Sequence, residues 1–199
     1  MNRALQAIMG LVGLSFLFSV TQTRRVVGND MSPSIQDGDL IVLSPTSDVQ
    51  PGDVVLLQDP LNSDRTVIRR VMAIGGQTIT VADGHIKVGK RRLRAKAMGD
   101  MGAYLVAKET LWAKKPDIGA SWLTRHQADP VTHWKADPVE VPTGQIYLIA
   151  DDRDGAIDSR WWGPVSLDRV QGVVRARWGA AHTWRPTWEL LAGSPPIGA

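Results

Sequence analysis

No cysteine occurs among the 199 residues, which excludes structural disulfides, Cys-ligated zinc, iron–sulfur clusters and thiol catalysis, and leaves the redox state of the compartment open. A His-Glu-x-x-His run, a glycine-rich phosphate loop and a dinucleotide fingerprint are missing as well, so no cofactor and no metal is expected. Excess charge is small: the formal net charge is +3, too little to argue a nucleic-acid partner unless the cations cluster. No internal repeat is present. Against these absences stands an ordinary globular balance of 43% apolar and 22% charged residues, which rules out a wholly disordered, collagen-like or polytopic membrane chain. The length suits one domain, or one domain elaborated by an insertion.

One long apolar run exists. Ala4 to Val20 reads ALQAIMGLVGLSFLFSV, at the short end of the ~17 to 25 residues that span a bilayer. It predicts a single transmembrane helix within an N-terminal anchor over 1–25, with the lipid bilayer as partner. A cleaved secretory signal is the rival, but the run exceeds the ~7 to 15 residues of a signal core and Thr21 to Arg25 offers no small-x-small cleavage pattern. Arg3 stands on one side of the run while Arg24 and Arg25 stand on the other, so charge does not fix the orientation.

Beyond the anchor, short Val- and Ile-rich runs are punctuated by Gly, Pro and Asp: Leu40 to Leu43, Val54 to Leu57, Val67 to Ile74, Thr78 to Val81, Ile86 to Val88, Ile146 to Ile149 and Val170 to Val174. This is the pattern of a mainly β domain of short strands. Asp83-Gly84 between two alternating runs marks a two-residue hairpin. Residues 89–138 lack strict alternation and divide the β-like sequence into 26–88 and 139–190, so they read as an inserted subdomain. Around its start lie Lys87, Lys90, Arg91, Arg92, Arg94 and Lys96 with no acid between them, which suits an anionic partner (lipid headgroups, RNA or an acidic protein) or a solvated basic face. Trp178, Trp184 and Trp188 accompany Arg175, Arg177 and Arg185, a mixture fit for an interface or for core packing. Residues 191–199 read as a flexible tail.

Three blocks carry a resemblance: GNDMSPSIQDGD at 28–39, VIRRVMAIGG at 67–76 and PTGQIYLIADDRDGAIDSRWWGPV at 142–165. In this order they resemble the type I signal peptidases, most of all the subunits of the mitochondrial inner membrane protease. That family carries Ser-Met-x-Pro-Ser/Thr beyond an anchor, then Lys-Arg-Val/Ile, then Gly-Asp-Asn-x-x-x-Ser-x-Asp-Ser-Arg followed by aromatic-Gly-x-Val. The resemblance implies a signal-peptidase-like β domain behind one transmembrane helix, and a Ser-Lys dyad in which a neutral lysine takes the proton of the attacking serine. Met31, Pro33, Arg70, Asp151, Asp158, Ser159 and Arg160 match and imply a retained scaffold. The resemblance places Asp30 at the nucleophile, Arg69 at the base, and Ala156 at the serine that hydrogen-bonds the base. A carboxylate forms no acyl-enzyme ester, and a guanidinium keeps its proton.

The Gly-Asp-Asn start is altered as well, to Ala150-Asp151-Asp152, but loss of nucleophile, base and hydroxyl partner together implies a pseudoenzyme, with Asp30 and Arg69 expected to form an ion pair where the dyad stood. The expected role is a structural or assembly subunit, with other membrane-complex subunits as partners. The expected place is the mitochondrial inner membrane, the β domain facing the intermembrane space; the bacterial plasma membrane or thylakoid is the alternative. The rival function is an active peptidase, or the partner subunit of one, that trims targeting sequences. A third reading keeps the cleft as a groove for extended peptides. An aspartic dyad of Asp30 with Asp151 or Asp152 is chemically conceivable, but Arg69 beside it keeps Asp30 charged.

Overall fold

The computed structural model describes residues 22–45, 48–82, 84–111, 121–127, 137–179 and 188–190. The apolar run at 4–20 lies outside them, as do His133, Trp184 and the 191–199 tail. Among the described residues no helix is long and apolar enough to cross a membrane.

The described chain is mainly β, as its alternating runs predict. The largest sheet takes β1 (Gln22–Arg25), β2 (Leu40–Ser44), β3 (Val54–Gln58), β4 (Thr66–Ile74), β12 (Gln145–Ile149), β13 (Val165–Ser166), β14 (Val170–Trp178) and β15 (Trp188–Leu190). Its order is β1-β2-β14-β3-β4-β12-β13, with β15 also on β14, and all its pairings are antiparallel. Burial explains the sequence pattern. The Val54–Leu57 run is apolar throughout because both faces of β3 are covered, whereas β2 alternates as a strand with one buried face does. A second sheet, β11-β5-β6-β7, joins β5 (Thr78–Ala82), β6 (His85–Val88), β7 (Arg91–Arg92) and β11 (Val139–Glu140). The expected hairpin is present: Ala82 pairs with His85, and Gly84 takes the positive φ of +72° that this tight turn requires.

Residues within the expected insertion build a third sheet, β10-β9-β8, from β8 (Arg94–Met101), β9 (Tyr104–Thr110) and β10 (Ser121–Gln127). Its strands escaped the alternation test because β8 is exposed along its whole length, so no apolar face marks it. Trp122 of β10 is buried in one core cluster with Met72, Ile79, Ile86, Tyr147 and Ile149, which welds this sheet to the other two.

Two boundaries differ from expectation. Residues 22–25, assigned to the anchor, are β1 and pair in register with Arg25 opposite Leu40; being wholly exposed, they show none of the apolar alternation that marks a strand. The insertion boundary at 89 cuts through the second sheet, since β7 pairs with β6. A one-turn helix, α1 (Ser159–Trp162), is capped by Asp158, whose side chain accepts from the Arg160 amide.

Candidate functional site

Consecutive residues on a strand point to opposite faces, and Arg69 and Arg70 on β4 use both. On one face Arg69, 3% exposed, donates from Nη2 to Asp30 Oδ2 at 2.8 Å, while the Asp30 side chain is 49% exposed. Arg69 is held by more than this pair. Its Nε and Nη2 donate to the Ile157 carbonyl at 3.1 and 2.8 Å, and Nη1 donates to the Ile68 carbonyl at 2.6 Å. Ile157 follows Ala156, so a backbone carbonyl next to Ala156 orients the guanidinium. Ala156 itself is buried with Met31, Ile35, Ile41 and Val54. The expected ion pair is therefore present, with one partner buried and one half in water.

On the opposite face Arg70 and Asp151 are 1% and 0% exposed and form a two-pronged pair, Nε to Oδ1 at 2.9 Å and Nη2 to Oδ2 at 2.6 Å. Arg70 Nη1 donates to the Gly52 carbonyl, and its guanidinium lies 4.5 Å from the centre of the Trp122 ring. Asp158 holds Arg160 by two bonds of 2.8 and 2.7 Å and also accepts from the Ala150 amide. Ser159 Oγ accepts from the Leu148 amide and from the Trp162 indole N–H. Met31 is buried, and its carbonyl accepts from Ile35 N. Pro33 bridges to Thr124. The retained motif residues thus make the frame, each satisfying groups that burial would otherwise leave unpaired.

The aspartic alternative does not stand. Asp151 is committed to Arg70, and Asp152 pairs with Arg125 at 2.6 Å. Ser34 Oγ donates to the Leu123 carbonyl at 2.8 Å, while the Arg69 guanidinium bonds to Asp30 and to the Ile68 and Ile157 carbonyls. The site keeps an opening: a cleft of about 220 Å³ is lined by Asp30 and Arg69 together with Arg24, Val26, Ile41 and Arg65.

Arg125, Glu109 and Arg153 are site residues that the sequence did not disclose. Arg125 stacks on Tyr104 at 4.3 Å, its amide donates to the Asp151 carbonyl and its carbonyl accepts from the Arg153 amide. Arg153 pairs with buried Glu109, which also accepts from the Trp122 indole. Next to Asp151, the Asp152 amide donates to the Asp30 carbonyl. The third sheet is thus stitched to the loop that carries Asp30. No local spacing announces these partners, because they lie 27 and 44 residues apart in the chain.

A strand-borne cation, Arg69, faces a turn-borne side chain, Asp30, and the Arg70–Asp151 and Asp158–Arg160 pairs frame them. The chain belongs to the family described as signal peptidase, peptidase S26, whose model matches residues 1–179. It is 26% identical over 186 residues to signal peptidase I of Pseudomonas fluorescens, covering 82% of this chain and 62% of that protein. It is likewise 26% identical over 196 residues to mitochondrial inner membrane protease subunit 2 of Mus musculus, covering 93% of this chain and 80% of that one. Among solved structures, a signal peptidase I from Enterococcus faecalis matches at 19% identity and a TM-score of 0.41, over 63% of this chain and 95% of that one. The chain thus spans less than two thirds of the length of its Pseudomonas relative.

Proposed function

We propose that this chain is a catalytically inactive signal-peptidase-like membrane protein that serves as a structural or assembly subunit of an inner-membrane complex. The observation that carries the reading is the Asp30–Arg69 ion pair of 2.8 Å at the positions where the family resemblance puts nucleophile and base. A carboxylate already bonded to a guanidinium has no hydroxyl to acylate, and arginine does not act as a base at any physiological pH. The Trp162-Gly163-Pro164-Val165-Ser166-Leu167 segment, which is like that of the mitochondrial branch, favours the mitochondrial inner membrane with the β domain toward the intermembrane space. Relatives from a bacterium and from a mitochondrion support a membrane site without choosing between them.

The purified full chain should not cleave signal-like peptides. Turnover that disappears in Asp30→Ala would overturn the reading and favour the active peptidase. Assembly is tested separately: the chain should resist alkaline carbonate extraction and co-purify in mild detergent with stoichiometric partners, whereas recovery as a lone polypeptide would count against a subunit role. The open cleft beside Arg69 favours one further reading, capture of an extended peptide without cleavage. Saturable binding of a signal-like peptide that is weakened by Arg65→Glu would support it.

A further inference from the structure

The basic run at the start of the third sheet is not absorbed by the site around Asp30. Its residues wall a second groove of about 730 Å³, lined by His85, Arg92, Arg94, Lys96, Lys108 and Thr110 among others. We propose that this groove and the strand pair forming its wall bind the anionic headgroups of a phospholipid bilayer. The proposal does not depend on whether the chain is catalytically active.

Strand register is the first argument. Lys96 lies directly opposite Lys108, and Lys87 directly opposite Arg92. Like charges in direct cross-strand register repel, and among the described residues no salt bridge reaches any of these four side chains. The arrangement is relieved by an anion placed between the strands. Lys108 comes from β9, outside the contiguous basic run, so the fold itself gathers the positive charge. The choice of anion follows from the neighbours. Met98, Met101 and Leu105 on the same strand pair are 54%, 38% and 46% exposed, and apolar side chains beside a basic cluster match a surface where headgroups border acyl chains. A single-stranded nucleic acid is held by aromatic stacking platforms, and no Phe, Tyr or Trp lines this groove among the described residues, the His85 imidazole being its one ring. The apolar run at 4–20, read as an anchor, would keep a bilayer surface within constant reach.

The absence of cysteine makes the test clean. The full chain carrying Met98→Cys, labelled with an environment-sensitive fluorophore, is reconstituted into phosphatidylcholine vesicles with and without phosphatidylglycerol. The expected result is blue-shifted emission, quenched by a lipid-borne quencher, only when phosphatidylglycerol is present, and reversed by high salt. Each removed cation should lower the docked-to-undocked ratio about fivefold, so Lys96→Gln with Lys108→Gln should lower it about 25-fold. Thermal stability should be unchanged or raised in that variant, because a repulsion is removed. Equal emission in neutral and anionic vesicles would overturn the proposal, as would unaltered docking in the double variant. Tighter binding of the micelle-held chain to an RNA homopolymer or to polyglutamate than to phosphatidylglycerol would assign the groove to that polyanion instead.

Discussion

Adjacent arginines on β4 make two ion pairs with unequal consequences, because their acids differ in exposure. Asp30 is half in water, so Asp30→Asn should cost only about 1 kcal/mol, the range of a solvent-screened pair, with Arg69 retaining the Ile68 and Ile157 carbonyls. Arg70 and Asp151 are both fully buried. Removing the cation there strands a carboxylate in the core, and Arg70→Ala should cost on the order of 3 to 5 kcal/mol. Denaturant midpoints of the two variants measure the difference directly; equal losses would contradict this division. Arg70→Lys should not restore the wild-type midpoint, since an ammonium cannot reproduce the two-pronged geometry or the stacking on Trp122.

At the scale of elements, the join between the third sheet and the Asp30 loop rests on a few bonds. Gly155 is the sensitive point, because a Cβ placed there would collide with the Asp152 carboxylate. Gly155→Ala should therefore displace the Asp152 carboxylate from Arg125 and loosen β10 from Pro33. Faster amide exchange at Arg125 and Asp152, with little change at Leu56 or Val71, is the expected signature. β1 supplies a second test. A chain beginning at residue 28 loses β1 and buried Val26, baring the edge of β2, and should be less stable and more prone to associate than one beginning at residue 21. The strands of the two flanking blocks were legible because one-sided or two-sided burial writes itself into apolar spacing. β1 and β8 were not, since both are exposed along their length and are specified by backbone pairing alone. The same contrast holds at the site. Asp30, Arg69 and Ala156 stood out through their motif context, whereas Arg125, Glu109 and Arg153 meet only after three sheets have packed.

For the whole molecule, one half-buried and one buried titrating group predict losses of stability at opposite ends of the pH scale. His126 on β10 is held below its usual pKa of 6.5, first by burial and then by the Arg153 cation, against the opposing pull of Glu109 and Asp154. The folded state thus resists protonation that the unfolded chain accepts, so stability is full above pH 6.5 and falls as pH drops through the lowered folded value. Tyr147 on β12 is pushed up to about 12, chiefly by burial and secondly by the Asp158 carboxylate. Here the unfolded phenol ionises first, so stability is full below the ordinary value of 10.0 and is lost as pH rises toward about 12. A displacement of this size corresponds to roughly 2 to 3 kcal/mol. Because β10 and β12 belong to different sheets that share one core cluster through Trp122 and Tyr147, either titration should lower a single cooperative transition. Thermal midpoints of the full chain across this range should fall at both limbs. His126→Gln should flatten only the acid limb and Tyr147→Phe only the alkaline one; a separate early melting of the third sheet at acid pH would show instead that its weld to the core is too weak to couple them.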